Sequence, residues 1–138
     1  MNRYANQDLF IARVHHQRLG GFVSRSAQDS QPFARQVDAW WAAIAIGVQY
    51  GERIPLPTDQ VKFNDGSILS SDPWRITHLE LLALAEGGDE MLDNPAEVIR
   101  MASEYANAGI PRLLDHLTGQ PEPTLNLMMK LSAVTNSS

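Results

Sequence analysis

The stretch that decides the fold is "QVDAWWAAIAIGVQYG", Gln36 to Gly51, because it is apolar almost without interruption. One face of a helix over this stretch carries apolar residues at the 3.6-residue period, and its alanines make the opposite face apolar too. A helix that is apolar nearly all round is usually buried on several sides. The pattern predicts a central buried helix from about Pro32 to Gln49, with Ser30 as its cap and Gly51 as its left-handed end.

The two adjacent tryptophans in this helix raise the question of a ligand platform. Neighbouring residues on a helix point about 100° apart, so Trp40 and Trp41 cannot form one flat stacking surface. We therefore interpret both as core or interface anchors. A partly exposed tryptophan fits a protein–protein contact better than a cofactor site, and we predict that Trp40 and Trp41 contribute to partner binding.

The flanking sequence predicts a mainly α, compact helical domain of about five helices. Residues 4–19 form the first predicted helix, which Gly20-Gly21 ends. "VKFNDGSIL" predicts one small β-hairpin near residues 61–69, with Val61 and Phe63 opposite Ile68 across an Asn-Asp-Gly turn. Proline after a capping side chain starts two further helices. They begin at Asp72-Pro73 and Asn94-Pro95 and end at Gly87-Gly88 and Gly109, and a short helix then runs to Gly119.

The expected organisation has three parts. Residues 1–30 form a basic N-terminal helix or arm, residues 31–119 the helical core domain, and residues 120–138 a Met- and Leu-rich C-terminal helix or arm. At 138 residues the chain fits one domain with a sizeable core.

Composition excludes several classes of protein. The chain contains no cysteine, which excludes a disulfide framework, a zinc ribbon and a thiol nucleophile. The longest apolar run, Ala39 to Val48, is about half the length that a membrane-spanning helix needs. Arg13 interrupts the N-terminal region too early for a signal peptide. We therefore expect a cytoplasmic protein that does not enter a membrane.

The net charge of −5 is unevenly distributed along the chain. Up to Gln36 the net charge is +3, and from Val37 onward it is −8. A basic segment on an acidic body suggests a nucleic-acid-binding accessory protein, in which the arginines contact the phosphate backbone. The residues for this alternative are Arg3, Arg13, Arg18 and Arg25. The same arm could equally dock on the acidic face of another subunit.

Catalytic and metal-binding patterns are weak. His15 and His16 are adjacent, whereas a helical metal pair needs a spacing of three or four residues. A small metal-dependent hydrolase using His78, Asp89 and Glu90 remains a second alternative. We otherwise expect no catalytic residue, no cofactor and no metal site.

Two long segments resemble a known family. "DAWWAAIAIGVQYGERIPLP" and "LELLALAEGGDEMLDNPAEVIRMASEYANAGIPRLLDHL" resemble small bacterial proteins that are encoded beside Dnd-type DNA phosphorothioation and restriction genes. The resemblance covers residues 33–117 and implies an accessory protein of a phage-defence operon, without an assigned catalytic site. The matching residues are Asp38, Gly47, Gly51, Arg53, Pro55, Leu56, Glu104, Tyr105, Ala106, Asn107, Gly109, Leu113 and Leu114.

The leading hypothesis combines these observations. We expect a non-enzymatic accessory or adaptor subunit of an anti-phage defence system that docks on larger ATPase, nuclease or DNA-modification partners. Besides the tryptophans and the N-terminal arm, the expected docking residues are Arg53, Pro55 and Leu56 of "ERIPLP" and Met128 and Met129 of the tail, since methionine adapts to partner surfaces. The apolar helix and the tail also offer surface to a second copy of the chain.

Overall fold

The computed structural model describes residues 2–26 and 28–119. This part of the chain is mainly α-helical with one two-stranded antiparallel sheet, which confirms the predicted fold class. Its elements are β1 (Asp8–Ala12), α1 (Arg13–Leu19), a 3-10 helix (Gly20–Phe22), α2 (Gln36–Tyr50), β2 (Gln60–Asp65), a second 3-10 helix (Gly66–Ser71), α3 (Pro73–Leu92) and α4 (Pro95–Thr118). The expected C-terminal helix or arm, with Met128 and Met129, lies outside the described residues.

Helix α2 is the central buried helix that its sequence predicts. It starts at Gln36 rather than Pro32, because the backbone N–H of Arg35 donates to the Asp38 carboxylate at 3.1 Å and closes the first turn there. The predicted cap at Ser30 is therefore wrong. At the other end Gly51 adopts the expected left-handed conformation, with a φ of 65°.

Helix α2 packs along α4 with the two backbones in direct contact. A Cβ built on Gly109 would lie 1.9 Å from the carbonyl oxygen of Ala43, and one on Gly47 would lie 2.2 Å from that of Tyr105. Only glycine permits this approach. The prediction that Gly109 ends a helix is wrong: α4 continues through it and through Pro111, and Gly109 serves packing instead.

The sheet joins distant parts of the chain. Strand β2 contains the predicted Val61 and Phe63, but its partner is β1, not a strand around Ile68. Ile68 lies in the second 3-10 helix, which begins where the Asp65 carboxylate accepts the backbone N–H of Ser67 at 3.0 Å. The predicted helix over residues 4–19 is wrong in its first half for the same reason, since residues 8–12 pair with β2.

Helix α3 changes direction where its glycines predict. Gly88 has non-helical angles of φ 68° and ψ −160°, and a short helical segment follows to Leu92. Counting these two parts separately, the described residues contain five α-helical segments. Helix α4 begins as predicted at Asn94-Pro95, where the Asn94 side chain accepts the N–H of Glu97 at 3.3 Å. No helix in the described ranges is long and apolar enough to cross a membrane.

Candidate docking groove between α2 and α3

Helical geometry separates the two tryptophans. Trp40 is 1% exposed, lies in the core and contacts the ring of Phe63 at a centroid distance of 5.7 Å. Trp41 is half-buried and points towards α3, where it meets Trp74 edge-on at 5.5 Å and His78 at 6.4 Å. Trp74 is 49% exposed. We call Trp41, Trp74 and His78 the aromatic cluster.

A buried arginine fixes the aromatic cluster from below. The Arg75 guanidinium lies 5.0 Å from the ring centroid of Trp74 and 5.5 Å from that of Trp41, which are cation–π distances. Its Nη2 donates to Asp38 at 2.9 Å. The first turns of α2 and α3 are therefore joined by a charge-assisted hydrogen bond beneath the rings.

The ion pairs continue outward from Arg75. Arg35 donates to Asp38 at 2.9 Å and to Asp72 at 2.8 Å. Asp72 precedes α3 as predicted, but its carboxylate binds Arg35 and makes no capping hydrogen bond. Burial alone would raise the pKa of Asp38, but the hydrogen bonds from Arg35 and Arg75 outweigh burial and hold the pKa below its usual value.

A second ion-pair group joins the far ends of α2 and α3. Arg53, just after α2, donates to Glu104 on α4 through Nε at 3.0 Å and Nη2 at 2.8 Å. Its Nη1 donates to Glu86 on α3. Helix α4 also fixes the backbone of the predicted docking segment "ERIPLP". The Asn107 side chain donates to the carbonyls of residues 54 and 55 at 3.1 Å each.

An apolar groove of about 260 Å³ lies between these two closed ends. Helices α2 and α3 both rest on α4 and run in the same direction, since Trp41 faces His78 at one end and Arg53 faces Glu86 at the other. We call this the α2–α3 groove. It is lined mainly by Trp41, Ile44, Val48, His78, Leu79 and Leu82. Leu81, 60% exposed, lies on the outer side of α3 and does not line the groove.

The α3 side of this groove was not predicted, although the sequence contains a pattern for it. Trp74, His78, Leu81 and Ala85 recur at helical spacing and form a second, outward apolar stripe beside the buried Leu79 and Ala83. A helix that is apolar on two sides has a buried face and a face available to something else. The role of Arg75 was not predicted because the acceptor of its hydrogen bond, Asp38, lies on α2.

A second cavity, of about 370 Å³, uses the other predicted docking segment. Exposed Pro55 and half-buried Leu56 form one wall, and Phe10 of β1 and Ile99 of α4 are among the residues opposite. Polar and apolar groups line it in similar measure. Arg100, at its rim, pairs with Glu97 and so is already engaged with a carboxylate.

The arginines predicted for nucleic acid do not form one free basic surface. Arg3 lies 3.6 Å from Glu80, and Arg13 pairs with Asp59 at 2.8 Å. Arg18 and Arg25 are exposed. Two of the four arginines are thus directed at carboxylates of the acidic body.

The metal-hydrolase residues do not assemble either. No three His, Asp or Glu side chains within residues 2–26 and 28–119 lie close enough to hold a metal ion. His78 belongs to the aromatic cluster, whereas Asp89 and Glu90 follow the break at Gly88. His16 contacts the side chain of Gln36 at 3.1 Å.

Five of the residues quoted for the family resemblance make contacts between α4 and the C-terminal half of α2 or the segment after it. Gly47 and Gly109 form the α2–α4 contact, and Arg53, Glu104 and Asn107 hold the segment after α2. These residues build the frame that supports the α2–α3 groove. Comparisons with protein-family models, with curated proteins and with solved structures found no match to the chain.

Proposed function

We propose that the protein is a non-enzymatic adaptor subunit of a bacterial anti-phage defence system. It acts in the cytoplasm by docking on a larger ATPase, nuclease or DNA-modification protein through the α2–α3 groove. The resemblance to proteins encoded beside DNA phosphorothioation genes supports the setting. The observation that carries the docking surface is the aromatic cluster, which places a half-exposed indole at one end of an apolar groove.

Tryptophan at the edge of such a groove is suited to protein binding. Interface hot spots are enriched in tryptophan and typically lose 2 kcal/mol or more on truncation to alanine. Here Trp74 is already held by Arg75 and Trp41, so little side-chain entropy remains to be lost when a partner binds. Both ends of the groove are joined by ion pairs, so its shape is formed before the partner arrives.

Co-purification with the products of neighbouring defence genes tests the proposal. Ala45 is exposed on α2 and lines the groove, so Ala45→Glu places a charge in the groove without removing a core side chain. Leu84→Glu is the matched control, because Leu84 is 43% exposed on α3, the other wall helix, but does not line the groove. We expect wild type and Leu84→Glu to retain the partner and Ala45→Glu to lose it. Equal retention by all three proteins, or no complex with any neighbour, contradicts the proposal.

A further inference from the structure

We infer that the occupant of the α2–α3 groove is a helical segment with two apolar side chains one turn apart and a Lys or Arg at the end nearest Glu86. This inference rests on the proposed docking function and specifies the partner's chemistry. It follows from three properties of the groove: its length, the chemistry of its walls and the charge at its two ends.

The length of the groove sets the number of anchor side chains. Trp41 and Gln49, which line its two ends, are eight residues apart on α2, a distance of about 12 Å at the helical rise. Apolar side chains four residues apart on a docking helix stand about 6 Å apart. Two of them therefore fit along the groove.

The walls select a helix over an extended strand. Both walls are α-helices, whose backbone N–H and C=O groups already bond within each helix. A peptide cannot add to such walls as a β-strand, because no free ladder of backbone donors and acceptors faces it. Recognition must come from side chains, as when an amphipathic helix lies in an apolar groove.

The two ends of the groove differ in charge. At the aromatic end, Arg35 and Arg75 balance Asp38 and Asp72. At the far end Arg53 binds Glu86 and Glu104, and Arg100, 3.9 Å from Glu104, also pairs with Glu97, so two guanidiniums meet three carboxylates.

Helix dipoles add to this asymmetry. Because α2 and α3 are parallel, the C-terminus of α2 and the C-terminal end of the regular part of α3 both lie at the Glu86 end. Each contributes partial negative charge there. An occupant with a cation at this end is attracted, and one with an anion is repelled.

The same charge disfavours a second copy of the chain as the occupant. The protein has a net charge of −5, and its described body after α2 is predominantly acidic. Association of two copies through this face would bring two acidic surfaces together. The chain's own basic helix, α1, is not a free occupant, because its Leu19 is buried in the core and its Arg13 pairs with Asp59. A basic, amphipathic segment of a different protein is the better complement.

Three synthetic helices serve as probes with the full-length protein. Each is a fluorescein-labelled, alanine-based peptide of 16 residues. The first carries leucine and phenylalanine four residues apart, followed by two lysines. The second replaces the lysines by glutamates, and the third replaces the leucine and phenylalanine by alanines. Fluorescence anisotropy at low and high salt measures binding to wild type and to the Ala45→Glu, Glu86→Gln, Leu84→Glu and Met129→Asp proteins.

We expect saturable binding of the lysine peptide to wild type and to Leu84→Glu. The glutamate peptide should bind about tenfold more weakly, because two rim charges change sign. Neither the all-alanine peptide nor the Ala45→Glu protein should bind. Glu86→Gln should weaken binding of the lysine peptide by about threefold and strengthen binding of the glutamate peptide, while Arg53 keeps its pair with Glu104. High salt should reduce both effects.

Each contrary result has a distinct meaning. Equal binding of the lysine and glutamate peptides overturns the inference that the occupant carries a cation. The proposed docking function is tested separately, by the co-purification experiment. No binding of either peptide overturns the helical occupant. Sedimentation that shows a wild-type dimer and a monomeric Ala45→Glu protein identifies a second copy as the occupant. Tighter peptide binding by a Met129→Asp protein identifies the chain's own residues 120–138. Either of these last two results overturns the inference.

Discussion

Replacing Gly109 by alanine will destabilise the fold, although alanine is the better helix former. A Cβ at this position would lie 1.9 Å from the carbonyl oxygen of Ala43 and 3.1 Å from the amide nitrogen of Gly47. Both atoms belong to the backbone of α2, so no side-chain rotation relieves the clash. Moving from 1.9 Å to an ordinary contact of 3.4 Å requires α2 and α4 to separate locally by about 1.5 Å. A gap of about 0.5–1 Å already loses a quarter to a half of the dispersion attraction between facing atoms.

The expected magnitude follows from two opposing effects. Overpacking by a methyl group costs about 3 kcal/mol, the upper end of the usual range, because backbone must move on both sides. The gain in helix propensity returns about 1 kcal/mol. The net loss in the free energy of unfolding is about 2 kcal/mol, which lowers the Tm by about 6–8 °C for a domain of this size.

Urea denaturation and thermal melts followed by circular dichroism measure this loss. Gly20→Ala is the matched control, because no atom lies within 4 Å of its Cβ and its backbone is right-handed helical. That variant should match wild type or be about 0.4–1 kcal/mol more stable. If Gly109→Ala is as stable as Gly20→Ala, the two helix backbones do not meet as described.

Three further changes test other parts of the structure. Trp40→Ala should lower the free energy of unfolding, measured by urea denaturation, by about 3–5 kcal/mol because the ring is fully buried. Trp41→Ala should lower it by less than half as much because Trp41 is half-buried. Equal losses would contradict the placement of the two rings on different faces of α2. Asp38→Asn should lower the free energy of unfolding by about 2 kcal/mol at pH 7. Because the pKa of Asp38 is depressed, its ion pairs stabilise the fold fully above the unfolded pKa of about 3.9, and this stabilisation is lost as the pH falls through the lower folded pKa. The difference in Tm from wild type should therefore shrink below about pH 4, and a constant difference would refute this. Asn107→Ala should speed hydrogen exchange and proteolysis in residues 52–57, which lose two hydrogen bonds to α4; unchanged protection would show that other contacts hold this segment.

Local patterns in the sequence predicted the elements that depend on local physics. The burial of α2 followed from a helix that is apolar on all sides, and its end followed from the positive φ that Gly51 tolerates. The starts of α3 and α4 followed from proline in the first turn. These features need no knowledge of distant residues.

The predictions that failed concern segments whose structure depends on contacts with residues far away in the sequence. Residues 8–12 fit a helix locally but form β1, because β2, about fifty residues away, provides backbone hydrogen-bonding partners for an antiparallel strand. Gly109 resembles a helix end, but the backbone of Ala43 requires a glycine inside α4. The α2–α3 groove was hidden for the same reason, since its two walls come from helices separated by the sheet strand β2.

Site-specific photo-crosslinking in the native host tests the docking surface most directly. Benzoylphenylalanine replaces Val48, which is 38% exposed and lines the α2–α3 groove, or Leu84, which is 43% exposed and does not line it. We expect the probe at position 48 to crosslink the proposed defence partner, identified by mass spectrometry, and the probe at position 84 not to. Crosslinking of that protein only from position 84, or from neither position while the two proteins co-purify, would show that the partner binds elsewhere.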